Sequence, residues 1–196
     1  LDPHVRAVVT LVFYAPSISG AVYMIWQTLF SADSYGWVNA TLLNLGLITE
    51  DVIELLEGTG FPGMKMLHFA FYDEDSEYLP RMYDTKNCVV YSSSHDSDCT
   101  KTWAMNLSYE ARDRFNKECP QIGSSDTYSL IEFAFNSIAN LVIIPIQDYL
   151  ELTNEEGRMN TPSTPEGNWG YRIENNYNND ELKNKIKDIV IRTNRM

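Results

Sequence analysis

Residues 140–147, NLVIIPIQ, are almost continuously apolar, and this constrains the fold more than any other stretch. A strand with one face in water alternates apolar and polar residues, whereas a continuous apolar run fits a parallel strand covered on both faces. A second short run, Cys88–Tyr91 (CVVY), has the same character. Parallel strands need long crossover connections, usually helical. The flanking text supplies them. Ile48–Gly58 (ITEDVIELLEG) has the pattern of an amphipathic helix. Thr49 can cap it, Glu50 and Asp51 suit its positive end, and Val52, Leu55 and Leu56 form its apolar face. The glycines of GTGFPG, residues 58–63, break it, and Met64–Phe71 (MKMLHFAF) is expected to be a strand. Asp73–Lys86 is a polar loop containing Pro80. Ser108–Cys119 is expected to be a helix capped by Ser108 and ended at Pro120, and Thr127–Ala139 an apolar helix. A turn-rich loop spans Thr153–Tyr171, and Asp180–Arg192 closes the chain as an amphipathic helix. Strand and helix alternating in this way predict an α/β fold on a parallel sheet, open or closed into a barrel. A complete (β/α)8 barrel takes about 250 residues, and this chain carries roughly half of the strand–helix units.

The run at Cys88 leads into chemistry. It continues through Ser92, Ser93 and Ser94 to His95 and Asp96, with Asp98 two residues on. Histidine and carboxylates just past the carboxyl end of a strand sit where α/β folds place their sites. The competing reading is a polar loop that merely caps the strand. Composition narrows the partners. A net charge of −12 and a pI near 4.6 argue against nucleic acid and anionic membrane surfaces. Aromatic residues make up 12% of the chain; carbohydrate clefts use such rings, and so do ordinary cores. The cysteines, Cys88, Cys99 and Cys119, are odd in number and not tightly paired, which suggests reduced thiols in a cytosolic-type compartment. No CxxC or HxxxH pair points to zinc. Lys65, inside an apolar strand, needs a carboxylate partner or a place in a cleft.

Residues 1–44 differ from the rest. From Ala7 to Ala32 there is no charged residue, long enough to span a bilayer. Pro16, Ser17, Ser19 and Gly20 in its middle, and the lack of a basic cluster on either flank, argue against an anchor. A secretory signal also fits poorly. The expected division is an atypical apolar segment, 1–44, followed by the α/β part, 45–196.

Four ordered motifs carry a family resemblance. Gly60–Lys65 (GFPGMK), followed by Leu67 and Phe69–Phe71, is the first, and Asn87–Asp98 (NCVVYSSSHDSD) the second. Pro145–Leu150 (PIQDYL) and Arg158–Arg172 (RMNTPSTPEGNWGYR) are the third and fourth. Together they resemble signatures of the 4-α-glucanotransferases, the amylomaltases or disproportionating enzymes of glycoside hydrolase family 77. The second motif is similar to a family strand ending in Thr-His-Asp-Asn-Asp, and the third to Pro-Leu-Gln-Asp-x-Leu. The resemblance covers 45 to the C-terminus and implies the C-terminal half of a (β/α)8 barrel.

It also implies a chemistry: an α-1,4-glucan bond is cut and the segment passed to another sugar, with retention. A nucleophilic carboxylate and a second carboxyl acting as acid and then base, about 5–5.5 Å apart, perform such a double displacement. A third carboxylate stabilises the positively charged transition state, and Asp96 matches it. His95 matches a neighbouring histidine that binds sugar hydroxyls. Gln147, Asn160 and Trp103 are further substrate-binding candidates, with packing or loop ordering as the alternative for each. The implied partners are maltooligosaccharides or starch- and glycogen-type glucans, in the cytoplasm or a plastid, with no cofactor and no metal.

The remaining catalytic carboxyls are not where the resemblance would put them. The family's acid lies in Ile-Ile-Ala-Glu-Asp-Leu-Gly; aligned on Leu45–Gly46, the same positions read ATLLNLG, with Leu43 in place of the glutamate and Asn44 of the aspartate. Leucine transfers no proton. The nucleophile's Ile-Asp-His-Phe-Arg-Gly has its nearest counterpart in Leu1–Arg6 (LDPHVR), which makes Asp2 a candidate remnant. The match begins abruptly near Leu45. A shifted reading frame before that point would explain this; a degenerate protein that binds glucan without cutting it, or a vestigial one, is the alternative. Either way the chain as written is expected to be inactive.

Overall fold

The computed structural model describes residues 58–195, apart from Pro120, 122–124 and Asn176. The expected helix over Ile48–Gly58, except for Gly58 itself, the uncharged stretch 7–32, Asp2 and Leu43 therefore lie outside the described residues.

Three strands form one parallel sheet among the described residues: β1 (Gly63–Met66), β2 (Cys88–Tyr91) and β3 (Leu141–Ile143), in that order. The register pairs Met64 with Val89 and Val89 with Leu141. β2 is central and has the continuous apolar run that such a position needs. The strand expected over Met64–Phe71 ends at Met66. Leu67–Phe69 instead turns into a 3-10 helix. Leu67, Ala70 and Phe71 are fully buried, a spacing of three and four that belongs to a helical turn rather than to a pleated strand. Gly60, at φ +68°, makes the turn before β1 where a side chain would be strained.

Between β2 and β3 run α1 (Thr100–Met105), α2 (Tyr109–Glu118) and α3 (Asp126–Phe135). Ser108 caps α2 by accepting from the Ala111 N–H, as its position predicts, and Ser125 caps α3 by accepting from Tyr128. α1 has no counterpart in the sequence reading, because it is short and carries no capping side chain. α3 stops at Phe135, four residues before the expected end. The side chains of Asn136 and Ser137 bond back to the Glu132 and Ala134 carbonyls and close it. Beyond β3 come α4 (Ile146–Tyr149), α5 (Asn154–Gly157) and α6 (Asp180–Arg192). Asn179 caps α6, which matches its expected span.

These elements lie in one compact unit, Gly60–Met196. Its core packs one face of the sheet against α1–α3: Val90 and Cys88 from β2 meet Phe71, Trp103, Phe115 and Leu130. Phe71 and Phe115 are in edge-to-face contact at 5.1 Å, and both are fully buried. Burying each such ring is worth about 1.5–3 kcal/mol. The other face is only partly covered among the described residues: Met66 on it is buried, but its neighbours are not. Met64, Leu141 and Ile143 stay 55%, 50% and 40% exposed. This corrects the expectation that residues 140–147 are covered on both sides. The run is apolar on both faces, but Leu141 and Ile143 on the far side stay partly exposed. Lys65 finds the carboxylate it needed: its Nζ lies 3.0 Å from Glu77.

Candidate functional site at the strand ends

Because the strands are parallel, the carboxyl ends of β2 and β3 open on the same edge. The loop after β2, residues 92–98, and the turn into α4 meet there, and the chain after α5 closes over them. They enclose a cavity of about 200 Å³ lined by Ser93, His95, Ser97, Gln147, Arg158 and Met159, among others.

The loop is anchored by a buried carboxylate from the third motif, Asp148. Asp148, 1% exposed, accepts hydrogen bonds from Ser92 Oγ and Ser93 Oγ at 2.6 Å each. It accepts two more from Thr100, through its backbone N–H at 2.9 Å and its hydroxyl at 2.8 Å. A buried carboxylate is tolerated only when so supplied with donors. His68 Nε2 lies 3.1 Å from the same Thr100 hydroxyl. Burial presses the His68 imidazole down to about 3, so it is neutral at ordinary pH. The buried serines thus have a purpose that is invisible in sequence: they tie the end of β2 to α4.

Above this anchor stand His95 and Asp96, both about half exposed. His95 Nε2 lies 3.2 Å from Asp96 Oδ2. Asn160 donates through Nδ2 to Asp96 Oδ1 at 2.5 Å, and its backbone N–H bonds the His95 carbonyl at 3.0 Å. Each oxygen of Asp96 therefore has one neighbour and keeps acceptor capacity toward the open side. Arg158 braces the group. It pairs with Asp98 and donates through Nε to the Asn160 carbonyl at 3.0 Å. Asn154 Nδ2 reaches Asp98 Oδ1 at 2.7 Å. The polar loop is thus a set of linked turns around a half-exposed carboxylate. A carboxylate beside an imidazole can bind adjacent hydroxyls and stabilise positive charge developing nearby.

The structure brings His95, Asp96, Gln147 and Asn160 together on one edge. Trp103 is not among them. Its ring is 6% exposed, stacks on His68 at 4.4 Å and packs against Phe71 and Phe115. Its place in the core replaces the sugar-binding role considered for it: it projects from α1, whose inner face supplies the core. The Arg158–Asp98 pair and the Asp148 anchor escaped sequence reasoning. Cys99 lines the cavity; burial, then the Asp148 charge, pushes its thiol up to about 11, so it is no ready nucleophile. Among the described residues, no cluster of histidine, cysteine and carboxylate side chains is arranged to hold a metal ion.

Comparison with known proteins places the chain in a family. The family model for 4-alpha-glucanotransferases of glycoside hydrolase family 77 matches residues 40–178. The chain is 39% identical over 171 residues to the chloroplastic/amyloplastic 4-alpha-glucanotransferase DPE1 of Arabidopsis thaliana, covering 84% of this chain and 29% of that protein. It is 38% identical over 157 residues to the 4-alpha-glucanotransferase of Clostridium butyricum, covering 79% of this chain and 32% of that one. In structure it resembles the amylomaltase from Streptococcus agalactiae in complex with acarbose. The TM-score is 0.68 at 32% identity, over 77% of this chain and 31% of that one. The match thus spans about 30% of the length of these relatives. On these grounds the chain belongs to the 4-alpha-glucanotransferases, glycoside hydrolase family 77.

Proposed function

We propose that the His95–Asp96 loop is part of an α-1,4-glucan site of the 4-α-glucanotransferase type, and that this chain by itself binds glucan without transferring it. One observation carries the reading. Asp96 is fixed by Asn160 and neighboured by His95, yet remains half exposed at the carboxyl end of a parallel strand. In the retaining double displacement, Asp96 stabilises the positively charged sugar, His95 binds hydroxyls beside it, and Gln147 lines the cavity. Asn160 acts first on Asp96, holding its carboxylate in place, and only then on substrate. Residues 45–196 correspond to the C-terminal half of a (β/α)8 barrel. Leu43, which falls inside the family match over residues 40–178, stands at the acid's position. Without that acid the leaving oxygen receives no proton, which costs orders of magnitude in rate. Asp2, in the nearest counterpart to the nucleophile motif, is its candidate remnant.

The ligands proposed are maltooligosaccharides or longer starch- or glycogen-type glucans. The acarbose complex of the similar amylomaltase supports an oligosaccharide ligand. The compartment proposed is the cytoplasm or a plastid; the chloroplastic/amyloplastic name of the Arabidopsis relative and the unpaired, buried cysteines support it. Among the described residues no helix is long and apolar enough to cross a membrane. Incubating the purified chain with maltotriose tests the loss of transfer. The expected outcome is unchanged maltotriose; shorter and longer maltooligosaccharides appearing together would contradict it.

A further inference from the structure

Trp169 stands out against the other described tryptophan. Trp103 is buried, whereas Trp169 is 56% exposed, at φ +61°. A bulky side chain in the left-handed region is strained, and such strain persists only where surrounding contacts impose it. Those contacts are present on both sides. The Trp169 N–H donates to the Met159 carbonyl at 2.7 Å, and Arg172 Nη1 donates to the Trp169 carbonyl at 3.1 Å. Just before it, Asn168 accepts from the Thr161 N–H at 2.8 Å and donates to the Thr164 carbonyl at 2.9 Å. The loop 160–169 is therefore closed on itself. One end gives Asn160 to Asp96; the other sets the indole against His95, with ring centroids 5.3 Å apart and planes at 35°.

We propose that Trp169 is the stacking platform for a glucose ring of an α-glucan whose hydroxyls are held by His95 and Asp96. The inference rests on the glucan reading of that site. A glucopyranose has an apolar face of C–H groups and a polar edge of hydroxyls. A large, mostly exposed indole covers the former, while an adjacent imidazole and carboxylate bind the latter. Packing does not account for the ring, because the residue stays 56% exposed. The loop's strained backbone serves to hold it beside the polar pair.

The test is calorimetric titration of the full chain with maltoheptaose, using wild type, Trp169→Gly, Trp169→Phe and Asp96→Asn. Glycine removes the ring and also relieves the left-handed backbone, so the loop keeps its shape. Trp169→Gly is expected to bind about tenfold more weakly, roughly 1.4 kcal/mol, with a melting temperature no lower than wild type. Trp169→Phe is expected to recover most of the affinity. Unchanged affinity in Trp169→Gly overturns the platform, and so does an equal loss in Trp169→Phe, which would assign the effect to the loop rather than the ring. If Trp169→Gly weakens binding while Asp96→Asn does not, the platform stands and the assignment of Asp96 falls. A wild-type chain that does not bind maltoheptaose at all overturns both.

Discussion

Four hydrogen bonds converge on the carboxylate of Asp148, and one of their donors, Ser93, lines the cavity. In Asp148→Asn one acceptor oxygen becomes a donor, set against two serine hydroxyls and the Thr100 hydroxyl. The expected loss is about 3 kcal/mol in a urea melt, with a fall in maltoheptaose affinity as the 92–98 loop loosens. A change below about 0.5 kcal/mol would mean that the anchor is dispensable. His68 adds a pH dependence. Its folded-state value of about 3 lies below the ordinary 6.5, so between these limits the unfolded chain binds the extra proton. Stability is then fully present above pH 6.5 and falls as pH drops toward 3. His68→Phe should flatten that part of a plot of urea midpoint against pH; an unchanged slope would assign it to other groups. Placement was legible where a strand end fixed it, as for His95 and Asp96. It was not legible where the partner lies far along the chain. Asp98 and Arg158 are 60 residues apart, Asp148 and Ser92 are 56, and no local pattern connects them. Trp103 was ambiguous because spacing did not say which way its side chain points from a helix that the text did not signal.

At the scale of elements, the strand ends bring the site together and short helices adjust it. α5 is a single turn fixed by a capping box, in which Thr153 and Glu156 satisfy one another's backbone N–H groups. It ends at Gly157, where a Cβ would sit 2.9 Å from Leu152 and 3.1 Å from the Gln147 side chain. Gly157→Ala must displace one of them, at a cost of about 1–3 kcal/mol. Since Gln147 lines the cavity, ligand affinity should fall with stability. Alanine tolerated without loss of melting temperature would show that α5 does not pack as described. Elements with strong signals, such as the Ser108-capped α2 and the central β2, were predictable from sequence. β1 was overestimated because one apolar run, MKMLHFAF, serves first a strand and then a helical turn, and hydrophobicity alone does not mark the change of period.

For the molecule as a whole, two features stand together. One sheet face is packed, and the other shows Met64, Leu141 and Ile143 to solvent. In the proposed half-barrel this is the face that would turn inward. Exposed apolar faces and unpaired strand edges favour association. The family resemblance, carried by four motifs, was legible in sequence because site loops need particular residues at particular places. The partly covered face was not, because an apolar run looks the same whether one or both sides are covered. In the proposed function the chain retains a glucan-gripping carboxylate, Asp96, without the acid needed for transfer. Titrating wild type and Asp96→Asn with maltoheptaose tests it most directly. Wild type is expected to bind saturably, with binding weakened at least about tenfold, or 1.4 kcal/mol, in Asp96→Asn at unchanged melting temperature. Equal affinity in the two proteins would contradict the proposed function.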